Sequence, residues 1–348
     1  MSDLITLKDS IIQKLSTIDT TLLNYNTLSE IEDLVENIQF GGRIGIINAS
    51  LSQINDPIIQ TEQKMLLRYI MGLNMTPEQR NDLFSKWQKD KLIDTKKLLT
   101  VGYKTLDQIV PDYYNNSLVR ELVTDLMSVQ ALGQGKGEFG LSVLSKKIKM
   151  QESKGDLIIN NKNIEVKTND GGAARFTDQE VVPAEGFDTL ARTVEKYVKT
   201  HKNSIAIPPS GLNMASAVKF ATKLDAIDQN EYMLMLERLW SHAFGIGGAD
   251  KTDIARIKKS VLLGDAGNAS QAYARANFNY YSRLKHDDGV LYMDLQTDPI
   301  SFVYYRNAND LYKNGLRFHA NTIYMTNVDD KRLPYPQIKI VKTKHNYS

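Results

Sequence analysis

Cysteine is absent from the 348 residues. That excludes disulfides, thiolate zinc sites and cysteine nucleophiles, and it suits a reducing cytoplasm. Neither sign of charge dominates: 43 Lys and Arg stand against 41 Asp and Glu, a formal net charge of +2. Without a global basic field, any nucleic-acid binding has to rest on a local basic surface. Long apolar runs are missing as well. Nothing approaches the roughly 20 residues of a membrane span, and no membrane partner is expected. The opening "MSDLITLKDSIIQKL" carries Asp3 and no continuous apolar core, which is not the pattern of a signal peptide. No GxxxxGK[ST] occurs, so an ATP-driven motor is not expected. "GKGEFG" satisfies GxGxxG in form only, because a helix and not a strand precedes it. The five histidines are scattered, without the spacing of zinc ligands.

What is present reads as a mixed chain, long enough for two or three units. Residues 1–130 carry apolar residues at helical spacing in "LITLKDSIIQKLSTI", "LSEIEDLVENI" and "SLVRELVTDLMSVQAL". "TPEQRNDLFSKWQKDKLI" adds a Thr76 N-cap, Pro77 at the first helical position and Gln79 in the capping-box place. A helical N-terminal domain over 1–130 is the expectation. The texture changes at 131–185, where "GEFGLSVLSKKIKM" reads as a helix with Leu141, Leu144 and Ile148 on its apolar face. Two strands, "GDLIIN" and "NIEVKT", follow it, and then a Gly-rich loop. Residues 186–284 return to helices and 285–348 to strands. The economical arrangement is one α/β (α+β) core: a mixed sheet begun by the 155–168 hairpin, completed by the C-terminal strands, with a helical insert between. The 17 tyrosines are read as packing more readily than as base-stacking surfaces.

The chemistry concentrates in "GDLIINNKNIEVKT". In a strand, Glu165 and Lys167 project to one face while Val166 packs on the other. A hairpin turning in "NNKN" brings Asp156 beside Glu165. Two neighbouring carboxylates repel, and a hard divalent cation, Mg²⁺ or Mn²⁺, relieves that repulsion. The Val166 carbonyl offers one more oxygen, and Lys167 could orient or deprotonate a water. An exposed Glu-Lys pair of this kind is ordinarily decoration, worth a few tenths of a kcal/mol at most, on the order of an isolated surface ion pair. The context is what raises it: Glu138 on the preceding helix, and Arg175 in the glycine-rich stretch after it.

This run of Glu138, Asp156 and Glu165-Val166-Lys167 resembles the PD-(D/E)xK nuclease superfamily, with its restriction-endonuclease-like fold. "GKGEFGLSVL" followed by "KGDLIINNKNIEVKTNDGGAARF" is more closely similar to phage nucleases. The similarity covers roughly 135–176, with Gly155 where the family name has Pro. It implies a metal-dependent deoxyribonuclease with Asp156 and Glu165 as Mg²⁺ ligands, Glu138 and the Val166 carbonyl completing the site, and Lys167 as the catalytic lysine. Cleavage would leave a 5′-phosphate and a 3′-hydroxyl. DNA would be the partner, contacted by Arg175 and by two basic helix faces, Lys196, Lys199 and Lys202, and Arg256, Lys258 and Lys259. A homodimer mate or a phage protein is the further partner expected, in a host cytoplasm or a virion. The rival reading is a non-cleaving DNA-binding or virion structural protein that keeps the nuclease fold.

Overall fold

The computed structural model describes residues 66, 76–129, 135–151, 156–172, 174–176, 186–244, 250–285, 288–335 and 338–342. The chain divides after Met65, and every described residue lies in the second unit. The helices expected before residue 66 lie outside the described residues. What is described is mixed α/β, with eleven helices and eleven strands. No helix among these residues is long and apolar enough to cross a membrane.

A six-stranded sheet organises this unit. It comprises β1 (Gly102–Thr105), β2 (Ile148–Met150), β3 (Leu157–Ile159), β4 (Lys162–Asn169), β6 (Gly289–Asp294) and β7 (Ser301–Tyr305), in the order β1-β7-β6-β4-β3-β2. All neighbours are antiparallel except β4 and β6. A parallel pair needs a crossover connection, and the chain between these two strands supplies it. That connection holds β5 (Arg175–Phe176) and helices α6 (Phe187–Thr200), α7 (Met214–Ala221), α8 (Ala226–Ala243), α9 (Lys251–Leu262) and α10 (Ala266–Lys285). These helices share one hydrophobic core with Val290, Tyr292, Val303 and Tyr305 of the sheet. They therefore cover a face of the sheet instead of standing off as an insert.

The opposite face presents Ile164, Val166, Leu291, Met293 and Phe302, all buried. The helices from before the hairpin are α1 (Pro77–Gln88), α2 (Thr95–Leu98), α3 (Leu106–Ile109), α4 (Ser117–Ser128) and α5 (Glu138–Leu144), and Gly137, at the start of α5, lies against Met293 of this face. Thr76 caps α1 through the full capping box, and Trp87 Nε1 donates to the Val143 carbonyl at 2.9 Å, tying α1 to α5. A Cβ on Gly140 would fall 2.3 Å from the Leu126 carbonyl oxygen, so glycine is what lets α4 and α5 cross this closely. Because β1 pairs with β7 in the central sheet, residues 76–129 belong to the core and are not a separate helical domain.

The remaining elements are α11 (Ala308–Lys313), β8 (Leu316–His319), β9 (Tyr324–Thr326), β10 (Arg332–Pro334) and β11 (Ile338–Lys342). They form a three-stranded sheet, β5-β11-β8, and a β9–β10 hairpin. Tyr232, Tyr273, Tyr304, Tyr305 and Tyr324 are fully buried, so much of the tyrosine content is packing. One local expectation fails. The helix over 137–150 ends at Leu144, and 148–150 is strand β2. Asp90 Oδ1 accepts from Ser145 Oγ (3.2 Å) and the Lys146 N–H (3.0 Å), turning the chain where the apolar spacing alone would have continued the helix.

Candidate active site

The β3–β4 hairpin turns on Asn160 and Asn161, with φ of 51° and 64°. Positive φ at both central residues is the type I′ form of the two-residue hairpin turn, and asparagine tolerates it. With that turn, Ile159 pairs with Lys162 and Leu157 with Ile164, which puts Asp156 across from Glu165. The Asp156 N–H donates to the Ile164 carbonyl (3.0 Å), and Asp156 Oδ2 accepts from the Val166 N–H at 2.7 Å. A strand residue points its N–H and C=O to the same edge. The Val166 carbonyl therefore opens on the Asp156 side, past the first residue of β3.

Alternation sends Glu165 and Lys167 to the face covered by the crossover helices, and there both are buried. Lys167 Nζ sits 2.5 Å from Glu165 Oε1, which also accepts from Tyr281 Oη on α10 at 2.6 Å. Phe176 of β5 places its ring 5.4 Å from Lys167 Nζ, in cation–π range. Burial pushes the Tyr305 hydroxyl's pKa well up, and the Glu165 charge adds to this.

Glu138 arrives from the other direction. It is the first residue of α5, whose entry is set by Gly137 in the left-handed region (φ 84°). Thr168 Oγ1 donates to the Lys136 carbonyl (3.1 Å), and Lys136 pairs with Asp170 (2.6 Å), which fastens this turn to the carboxyl end of β4. The Glu138 carboxyl is pushed up to about 7, first by burial and then by the Asp156 charge. Glu165 adds to the rise, while the Gly135 N–H and Lys167 oppose it. Glu138 and Asp156 are half-buried, and Glu165 and Lys167 are buried.

The donor set suits a hard cation in chemical type, being all oxygen, and the Asp156 charge that adds to the burial effect on Glu138 is one that a cation would offset. Even so, among the described residues no three His, Asp or Glu side chains are grouped so as to hold a metal ion. Glu165 is instead engaged with Lys167 and Tyr281.

The sequence-predicted DNA contacts fare differently. Arg175 is exposed on β5, and alternation sends it away from the face on which Phe176 meets Lys167. Lys199 pairs with Glu195 (2.5 Å), Lys202 with Asp225 (3.5 Å), Arg256 with Asp253 (3.0 Å) and Lys258 with Glu237 (2.5 Å). Lys196 and Lys259 are exposed and have no acidic partner among the described residues. The two basic faces are thus largely neutralised by neighbouring acids. Tyr281 escaped the sequence reading because it is distant in the chain from Glu165, and Phe176 because the reading of that stretch turned on the charge of its neighbour Arg175. No protein-family model matches the chain, and comparisons with curated proteins and with solved structures give no match.

Proposed function

We propose that the chain is a Mg²⁺-dependent nuclease that hydrolyses DNA phosphodiester bonds through a PD-(D/E)xK site on a restriction-endonuclease-like core, with Mn²⁺ able to substitute. The observation that carries this reading is the convergence of Glu138, Asp156, Glu165 and Lys167, brought by a helix start and a hairpin to the end of β4. Asp156, Glu165, the Val166 carbonyl and Glu138 would hold the cation. When bound, it would lower the pKa of a coordinated water and offset charge on the scissile phosphate.

The chain's own residues account for the rest. Asp156 is held in place by the Val166 N–H, which fixes one carboxylate of the site. Lys167 carries its ammonium beside Glu165, where it can orient a water and stabilise charge growing on phosphate oxygens. Glu138, lifted to about 7, can take or give a proton near neutrality. Tyr281 keeps Glu165 in register with Lys167.

Two observations favour the second reading, a DNA-binding or virion structural protein that retains the architecture without cutting. Glu165 is satisfied by Lys167 and Tyr281, and among the described residues no three acids are grouped for a metal. One experiment separates the two. Supercoiled and linear DNA are incubated with the purified protein in Mg²⁺, in Mn²⁺ and in chelator, beside Lys167→Ala. Metal-dependent cleavage lost in the variant supports the nuclease. DNA binding without cleavage by the wild type supports the structural protein.

A further inference from the structure

We propose that the cleft between α9, α10 and the start of α11 binds a phosphate monoester. The inference does not rest on the nuclease reading, because none of its residues belongs to the Glu138–Lys167 cluster. The cleft encloses about 450 Å³ and is lined by Arg256, Arg283 and Arg306 together with Asn279, Ser282 and Asn307. Three guanidinium groups from three separate elements converge on it.

Charge is layered here. Asp253 is 3% exposed. It accepts from Arg256 Nη1 at 3.0 Å and from Asn279 Nδ2 at 2.8 Å. Asp310, also buried, accepts from the Arg306 N–H at 3.2 Å and lies 3.4 Å from Arg306 Nε. The acids stand behind, while the side chains of Arg256 and Arg306 are 47% and 61% exposed in front. A buried carboxylate fixes the direction of a guanidinium, and the remaining N–H donors are then aimed outward. Asp250 is the one exposed acid in the lining. It caps α9 by accepting from the Thr252 N–H at 2.6 Å.

The ligand class follows from shape and from the geometry of the outward donors. A carboxylate occupies one guanidinium, whereas a phosphate has oxygens for three. Three carboxylates, Asp250 on the rim and Asp253 and Asp310 behind, balance the three guanidiniums, so a phosphate would be held by the outward N–H donors of Arg256 and Arg306 and not by excess positive charge. The volume falls in the range of about 300–1,000 Å³ found for small-ligand sites. It leaves room for a sugar or a strand end behind the phosphate.

The test is calorimetric titration of the full-length protein in chelator, so that cleavage plays no part. The probes are inorganic phosphate, a deoxynucleoside 5′-monophosphate, and one oligonucleotide with either a 5′-phosphate or a 5′-hydroxyl. We expect the monophosphate to bind, and Arg283→Ala and Arg306→Ala each to weaken it at least tenfold with unchanged urea midpoints. Asp250→Asn should tighten it several-fold, because asparagine caps a helix as well as aspartate. Preference for the 5′-phosphorylated oligonucleotide would place the monoester on a strand end, and preference for the mononucleotide would place it on a free nucleotide. Absence of heat with every probe, or affinity indifferent to the arginine substitutions, would overturn the proposal. Equal binding of the two oligonucleotides without competition by inorganic phosphate would do the same.

Discussion

Replacing Lys167 by Met keeps the length of the side chain and removes its charge. Glu165, 3% exposed, would then be a buried carboxylate that has lost its cation and keeps the Tyr281 hydroxyl. Breaking a buried ion pair from one side costs about 3–5 kcal/mol, whereas replacing both members with neutral groups is often close to neutral. Glu165→Gln combined with Lys167→Met should therefore be more stable than Lys167→Met alone. The double-mutant cycle should give a coupling of at least about 2 kcal/mol, outside the few tenths expected of independent sites. The chain has two tryptophans. Trp87 and Trp240 are both buried and both in the unit that begins at Leu66, so tryptophan fluorescence in urea reports this unit. With a slope of about 3 kcal/mol per molar urea, Lys167→Met should lower the midpoint by roughly 1 M or more. Additive effects of the two substitutions would refute the pairing. The double variant should also fail to cleave DNA while remaining folded, which separates the loss of charge from the loss of structure.

Other consequences are open to measurement. The Glu138 carboxyl is raised in the folded state from its ordinary 4.5 to about 7, so the fold binds a proton that the unfolded chain has released. The stability this contributes is fully present below pH 4.5 and is lost as pH rises through about 7; urea midpoints across that window should flatten in Glu138→Gln. Titrating Mg²⁺ into the wild type near pH 7 should release protons into a weak buffer, an effect absent from Glu138→Gln. Gly140→Ala would place a Cβ 2.3 Å from backbone at Leu126, and overpacking of this kind costs about 1–3 kcal/mol; cleavage should fall with it, since α5 carries Glu138. Thr76→Ala removes the side-chain half of the α1 capping box and should cost about 0.5–2 kcal/mol with no effect on cleavage.

The hairpin was legible because its signals are local. Period-two alternation in "NIEVKT" and a turn in "NNKN" suffice to bring Asp156 near Glu165; the register itself is set by the tighter turn at Asn160 and Asn161, with Lys162 already in the strand. The α1 capping box was legible for the same reason. What escaped depends on contacts between residues remote in the chain. Nothing in "AGNASQAYARANFNYYSRLK" marks it as α10, since its buried stripe is built from Ala, Tyr and Phe and not from Leu and Ile. No local pattern could show that Tyr281 reaches Glu165. Strand β1 is four residues in helical surroundings and is a strand only because β7 offers it a partner. The partners of Lys202 and Lys258, Asp225 and Glu237, lie just before or on α8 and could not be seen locally, whereas Lys199 with Glu195 and Arg256 with Asp253 are pairs within one helix that the sequence reading passed over.

A fold of this kind has no structural need for the charges at the end of β4. On the same face of the sheet, the positions beside Glu165 and Lys167 are Val290 and Tyr292, both buried. Apolar pairs of similar volume at 165 and 167 would pack there at no cost and often with a gain in stability. Buried ion pairs are retained in some proteins for conformational specificity, and Glu165 with Lys167 alone would fit that account. Glu138 and Asp156 do not fit it. They add like charge at a half-exposed position, where burial first and the Asp156 charge second raise the Glu138 carboxyl to about 7. An arrangement that stores electrostatic strain next to a lysine, at an opening to solvent, makes physical sense when something positive enters to relieve it. For that reason proton release on adding Mg²⁺ is a sharper test of the site than cleavage, because it does not depend on finding the right substrate.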